Sequence, residues 1–439
     1  VEVLGKRIQG GPDYQQVLAA LLLAGVRNVE PRPSVGFKFH AVLVVQSVHL
    51  ASLAAAEQDR WLPIFWALDY FKDSQARDER ERGWTMAPVD NSALPSADKA
   101  PSVFHNSMER WNEPAADAAV ASLARTADPD WIWEQFFLFG SRDFRSIGHK
   151  AIDVANSHRV LQVIGWQYAE PILRSLAYAL LMHENGNPAD NDLAPDRPWR
   201  RNQMLADQIP DDWQQQTSGD GVVTALVETL RTESDAQAAA SVVRLLNDGA
   251  SPTAIWQAMF VAANELVVRQ SGIVALHAMT TTNSMYYNFR MAQEDRTRRL
   301  ILLQNASFLP LFREAMRGRG NVRDFDLLGL EPKPADSVGS IFADVGSNSM
   351  AAAQKTLGYF QDGGQLEPWL EMAGKLVIYK GTGAHDYKFG YAVAEDAGLA
   401  TGDARAHALA GSTFLLQLSL IHISEPTRHT SQSRLPASG

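Results

Sequence analysis

Apolar residues recur along this chain at three- and four-residue intervals, the spacing of helices that each bury one face. The period predicts a first helix over 15–26, closed by the Pro-rich Glu30-Pro-Arg-Pro-Ser34. Helices follow over 37–56 and 61–76, the second running into the charged stretch 77–82, and then over 102–111, 115–126 and 131–139. Residues 145–182 read as two helices divided at Glu170-Pro171, because proline suits a first turn. After a polar loop over 184–198 the same style resumes at 221–231, 236–246, 253–270, 273–291 and 298–317. A loop containing Gly and Pro spans 318–337, and helices at 340–361, 366–373 and 385–396 complete the pattern. Only 376–380 has the apolar run of a strand, and one strand makes no sheet. With no repeat of fixed period and no linker dividing the text, the expectation is one large all-α, multi-helix domain over 1–417.

The two ends read differently. The chain begins with Val1 rather than Met, as a fragment entered inside a longer sequence would. Residues 418–428 resemble, position for position, the translation of a transposon-type sequencing-library adapter, and 429–439 are rich in Ser, Thr and Pro without apolar period. The segment 418–439 is therefore expected to be a non-native tail and is set aside from fold reasoning. No stretch approaches the roughly 20 apolar residues of a membrane span, so no membrane partner is expected.

Composition removes several chemistries. The 439 residues include no Cys, which excludes thiolate zinc sites, thiolate iron–sulfur clusters, disulfides and cysteine nucleophiles, and points to the cytoplasm. Any metal must rest on His, carboxylate or an unusual oxygen ligand. The formal charge of -10 gives no footprint for nucleic acid. No His has Glu three residues before it, so the Glu-x-x-His of di-iron bundles is missing, as are His-Glu-x-x-His, Gly-x-Ser-x-Gly and the P-loop. Gly381-Thr-Gly383 has Asp386 where a dinucleotide fingerprint needs its last Gly.

What remains is histidine. His40, His149, His277 and His385 fall inside apolar helical text in four separate parts of the chain. Each alone reads as a core imidazole with satisfied ring nitrogens. Neighbours at helical spacing change the picture: Thr281, Ser284 and Asn288 share a face with His277, and Asp153 and Asn156 share one with His149. A polar stripe in apolar text lies in solvent or lines a wet interior site, and the flanks of His277 favour the interior. Glu265 reads equally as an outer partner of such a site or as a solvated residue. His385-x-x-Lys388 places an imidazole and an amine on one helix face, and a neutral amine can take up CO₂ to become a carbamate, an oxygen ligand; the alternative is a surface Lys. His49 and His158 lie about half a turn away from His40 and His149, and His105, His183 and His407 read as surface.

From Gly36 to about Leu399 the chain resembles an uncharacterised group of bacterial proteins, in Asp143-Phe-Arg-Ser-Ile-Gly-His-Lys150, the stretch 161–173 and His385-Asp-Tyr-Lys-Phe389. More distantly, the order of its His elements is similar to that of questin oxidase-like proteins. That resemblance implies an all-α non-haem iron oxygenase that cleaves anthraquinone-type rings, its iron held by four His and a carboxylated Lys. His40, His149, His277 and His385 would then be the imidazole ligands, and Lys388 the carbamate. The chain departs from the family at Asp153, where a second His is common, and at Tyr168 and Tyr286, where closer relatives are expected to carry His.

The reading is an Fe(II)-dependent oxygenase of a small aromatic or polyketide-like substrate, with Asp153 as the candidate for proton transfer. Trp61, Phe65, Trp66, Tyr70, Trp131, Trp133 and Trp166 could wall its pocket or anchor helix packing. Two other readings stay open: a His-and-carbamate metal hydrolase, and a non-enzymatic all-α binding or scaffold protein whose histidines are scattered.

Overall fold

The computed structural model describes residues 11, 13–31, 37–182 and 185–416; the expectations for the start of the chain, the tail beyond 417, His183, His422 and His429 lie outside the described residues. The first half consists of α1 (Tyr14–Asn28), α2 (His40–Leu43), α3 (Val45–Ala54), α4 (Leu62–Glu81), α5 (Ala100–Arg110), α6 (Glu113–Thr126), α7 (Pro129–Gly140), α8 (His149–Ile164) and α9 (Ala169–Leu180). There follow α10 (Arg197–Ala206), α11 (Val222–Thr232), α12 (Asp235–Asn247), α13 (Pro252–Arg269), α14 (Ile273–Met291) and α15 (Asp295–Arg317). The chain closes with α16 (Val338–Asp344), α17 (Ser349–Gln361), α18 (Leu366–Lys380), α19 (Ala384–Leu399) and α20 (Gly402–Ser412). Among the described residues the only β pairing is an isolated bridge between Ser218 and Ala250, so the fold is all-α. No described helix is long and apolar enough to cross a membrane.

Several local expectations are corrected. The apolar run 376–380 is the last turn of α18 and not a strand. Its Val377 is buried against α19, where a Cβ on Gly390 would stand 2.4 Å from the Val377 side chain; the run serves helix-to-helix contact rather than sheet pairing. The single helix expected over 340–361 is two, parted by Gly346 at φ +93° and restarted by Asn348, whose side chain accepts from Ala351 N. The helix expected over 37–56 is interrupted at Val44 between α2 and α3. Helices α10 and α20 lie where no helix was expected. Text around α20 is rich in Ala and Gly, a weak periodic signal, yet small residues let it seat tightly on α13: a Cβ on Gly411 would be 2.9 Å from Asn264 O. His407, expected on the surface, is buried at 7% exposed, its Nδ1 facing Asp403 O at 2.8 Å.

Three helices form the centre. Helix α13 is apolar nearly all round and buried accordingly, as such helices must be. Helices α8 and α14 are equally buried but are not equally apolar: α8 encloses Lys150, Asp153, Asn156 and Arg159, and α14 encloses Thr280, Thr281, Asn283 and Asn288. A buried polar group without a partner costs about 1–3 kcal/mol. Most of these groups find partners across the seam, but Asp153 Oδ2, Thr281 Oγ1 and Asn288 Oδ1 have none from the protein. Helix α14 packs on α8, α13, α15 and α19, and α8 packs on α2 and α3, which brings four widely separated segments to that seam.

A candidate metal centre

Four histidines meet in the seam. Each of His40, His149, His277 and His385 offers a ring nitrogen, and the four nitrogens lie within 4.8 Å of one another. The more than about 10 Å of separation that scattered core histidines would show, against metal-to-nitrogen bonds of about 2 Å, is not found. His40, His149 and His277 are almost wholly buried and His385 is partly so.

Local backbone structure places each ring. His149 follows a turn in which Ser146, Ile147 and Gly148 have φ of 55°, 47° and 80°. Non-glycine residues in that region cost about 1–2 kcal/mol each, a strain kept where surrounding structure demands it. The demand comes from the motif itself. Asp143 accepts from Arg145 N at 3.1 Å and from Lys150 Nζ at 2.9 Å, while Arg145 holds Asp196 through two bonds of 2.9 and 2.7 Å. Lys150 also donates to Leu180 O at 3.0 Å. Opposite, Asn156 Nδ2 donates to Leu43 O at 2.9 Å and ties the His40 segment to α8. The Asp386 carboxylate accepts from Thr382 N and Gly383 N, fixing the first turn of α19 around His385.

The ring orientations carry the chemistry. His149 Nδ1 faces Ser146 O at 2.6 Å and His277 Nδ1 faces Ile273 O at 2.7 Å. A carbonyl can only accept, so both Nδ1 atoms carry the proton and both Nε2 atoms present lone pairs. Those two Nε2 atoms stand 2.8 Å apart, and His40 Nε2 is 3.3 Å from His149 Nε2. His385 Nε2 is buried with no hydrogen-bond partner. Facing lone pairs repel unless a cation lies between them.

A proton is a poor candidate for that cation. Burial holds His40, His149 and His385 well below the ordinary imidazole range, and the nearby Lys388 and neighbouring rings push the same way. His277 is lowered to about 3, by burial first and Lys388 second. Neutral imidazoles with Nδ1 held by carbonyls are the form that binds transition metals, and the carbonyls fix each ring's tautomer. The donor set fits a metal of imidazole preference such as iron or zinc.

The other candidate residues divide. Lys388 is buried on the same face of α19 as His385, close enough to depress all four imidazoles. Asp153 is buried one turn along α8 from His149, accepting from Ser157 Oγ at 3.2 Å on one oxygen and from nothing on the other. Burial raises its pKa to about 7, with the Ser157 hydrogen bond acting in the opposite direction. Glu265 is buried but stands apart, holding Arg231 through two 2.8 Å bonds and accepting from Leu327 N. His49 bonds Tyr14 and His158 bonds Tyr287, neither in the cluster. Tyr286 packs among Trp256, Phe260 and Phe289.

Beside Lys388 a cleft opens to solvent, and its enclosed end, about 20 Å³, has room for roughly one water or one ligand oxygen. None of the seven aromatic residues expected as pocket walls lines it; Trp66, for example, stacks on Tyr70 and packs on Tyr387, and Trp133 packs on His158. Arg159 braces the cleft by donating to Asn156 and Asn283 and pairing with Glu395 at 3.2 Å. Arg159, Asn283 and Glu395 were not singled out from sequence, although Arg159 lies on α8 beyond the stripe that begins at His149.

The raised pKa of Asp153 makes a prediction. Its folded value near 7 exceeds the unfolded 3.8, so the folded state holds the extra proton and stability falls as pH rises from about 4 to 7. In chelator-treated protein, Asp153→Asn should melt close to the parent at pH 4.5 and above it at pH 8, by several degrees in about this size class. A constant offset across that range would show that Asp153 is ionised throughout.

No protein-family model, curated protein or solved structure matches the chain.

Proposed function

We propose that the chain is a non-haem iron oxygenase whose Fe(II) is held by His40, His149, His277 and His385, with Lys388 as a carbamate oxygen donor. The observation that carries this reading is the pair of Nε2 lone pairs on His149 and His277, 2.8 Å apart in a buried site whose imidazoles resist protonation. The similarity of the His order to questin oxidase-like proteins supports iron and an aromatic or polyketide-like substrate. Iron supplies one-electron chemistry that O₂ requires and that protein side chains lack. The residues do the rest. Carbonyls of Ser146 and Ile273 hold two rings in the metal-binding tautomer, and the buried walls of α8 and α14 keep bulk water out. Asp153, with a pKa near 7, can hold or release a proton at its oxygen without a bonded partner. The cleft beside Lys388 is the way in, and its polar lining suits the oxygen-bearing end of such a substrate.

Metal analysis of the purified chain, with O₂ uptake on hydroxylated anthraquinones, tests the reading. About one iron per chain and O₂ consumption are expected. Zinc without O₂ uptake would sink the oxygenase and favour the hydrolase reading, in which the same ligands serve a metal that acidifies bound water. Lys388→Ala should hold much less metal than His49→Ala, since His49 touches Tyr14 and not the centre. Equal occupancy in the two variants would remove the carbamate role.

A further inference from the structure

The cleft is built by the same segments that carry the imidazoles. His40, His149 and His385 lie in the first turns of α2, α8 and α19, and His277 lies one turn into α14. Farther along these segments come the cleft residues: Gln46 and Ser47, Asn156, Thr280 and Ser284, and Lys388. Amides and hydroxyls therefore extend away from the centre, and Gln46 Oε1 is a buried acceptor with no donor from the protein.

The charge of the centre is one-sided. Among the described residues the converging ligand group is histidine alone, with no carboxylate oxygen in it. The acids on α8 and α19 have other partners: Asp153 accepts from Ser157 on one oxygen, Asp386 from Thr382 N and Gly383 N, and Asp396 from Asn283 at 2.8 Å, while Glu395, which lines the cleft, has its charge met by Arg159. Four neutral imidazoles around a divalent cation leave two positive charges in a buried space, where uncompensated charge is expensive. A carbamate on Lys388 would still leave one. The amino-terminal ends of α8 and α19 add positive potential from the helix dipole.

We infer that the cleft takes its substrate by an anionic oxygen, a carboxylate or an ionised phenol, seated at the Lys388 end, with hydroxyl groups of the same molecule bonded to the amides and hydroxyls farther out. The size of the positive charge rests on the metal reading above. The shape and lining of the cleft do not.

Calorimetric titration of the full chain, with metal content measured on the same sample, tests this with benzoate, 4-nitrophenol at pH 8 and neutral benzyl alcohol. Benzoate or 4-nitrophenolate should bind at least tenfold tighter than benzyl alcohol, and the visible absorbance of nitrophenolate reports whether it is bound ionised. Which of the two binds identifies the acid group. Lys388→Met should lose most of the gap together with its metal, and Gln46→Leu, which leaves the centre untouched, should weaken 2-hydroxybenzoate several-fold more than benzoate. Equal affinity for benzyl alcohol in metal-loaded protein overturns the inference and leaves the metal reading standing. A preference for the anions in a chain that binds no metal does the reverse.

Discussion

His277→Ala should empty the centre: metal content near one per chain in the parent should fall below a tenth, with affinity at least about a hundredfold weaker. Loss of an outer hydrogen-bond partner alone costs a metal site about 10–100-fold, and loss of a ligand costs more. His277 is also the ring whose Nε2 faces that of His149 at 2.8 Å, so its removal dissolves that nitrogen pair. The effect can be read twice. Mass spectrometry gives the metal content, and the rise in melting temperature on adding Fe(II) or Zn(II), present in the parent through binding to the folded state, should vanish in the variant. The His49→Ala control should keep both, because that imidazole meets the Tyr14 hydroxyl and ring and lies outside the four-histidine cluster. Melting of the two metal-free proteins should differ far less, since the parent without metal holds two facing lone pairs. Retention of a full equivalent of metal by His277→Ala would place the metal elsewhere.

Gly148→Ala should cost about 2–4 kcal/mol and most of the bound metal. Two effects add. At φ +80° a side chain meets its own backbone, worth about 1 kcal/mol. The new Cβ would also lie 2.1 Å from Thr281 Oγ1 and 2.7 Å from its Cγ2, in a contact that is fully buried. Relief requires α8 to draw back from α14, and His149, the next residue, moves with it. Thr281→Ala removes both offending atoms but not its Cβ, 2.9 Å away. The double variant should therefore recover at least about 1 kcal/mol relative to the sum of the single effects, without returning to the parent. Strict additivity, measured by denaturant unfolding, would show that the clash is absorbed elsewhere.

The misreadings share a cause. The run 376–380 resembled a strand because it is short and apolar; in the fold it completes α18 against Gly390. Helix α20 escaped notice because Ala and Gly carry little periodic signal, although its close approach to Asn264 needs residues of that size. His407 read as surface for the same reason. Asp153, Asn156 and the stripe below His277 were legible, since helical period alone puts them on the ligand's face. Arg159, Asn283 and Glu395 were not, because the bonds that join them link segments more than a hundred residues apart.

By itself the sequence determined the helical period, the absence of sulfur chemistry and the four imidazoles worth following. These are local or compositional properties, and the 3.6-residue repeat expresses them without tertiary help. Tertiary structure alone decided that the four rings share one point, that two Nε2 lone pairs face each other, and that the space beyond them is lined mostly by amides and hydroxyls, with none of the seven expected aromatic residues. Convergence depends on how α2, α8, α14 and α19 pack, and packing is set by volumes and close approaches such as Gly148 on Thr281, which no single stretch of chain contains.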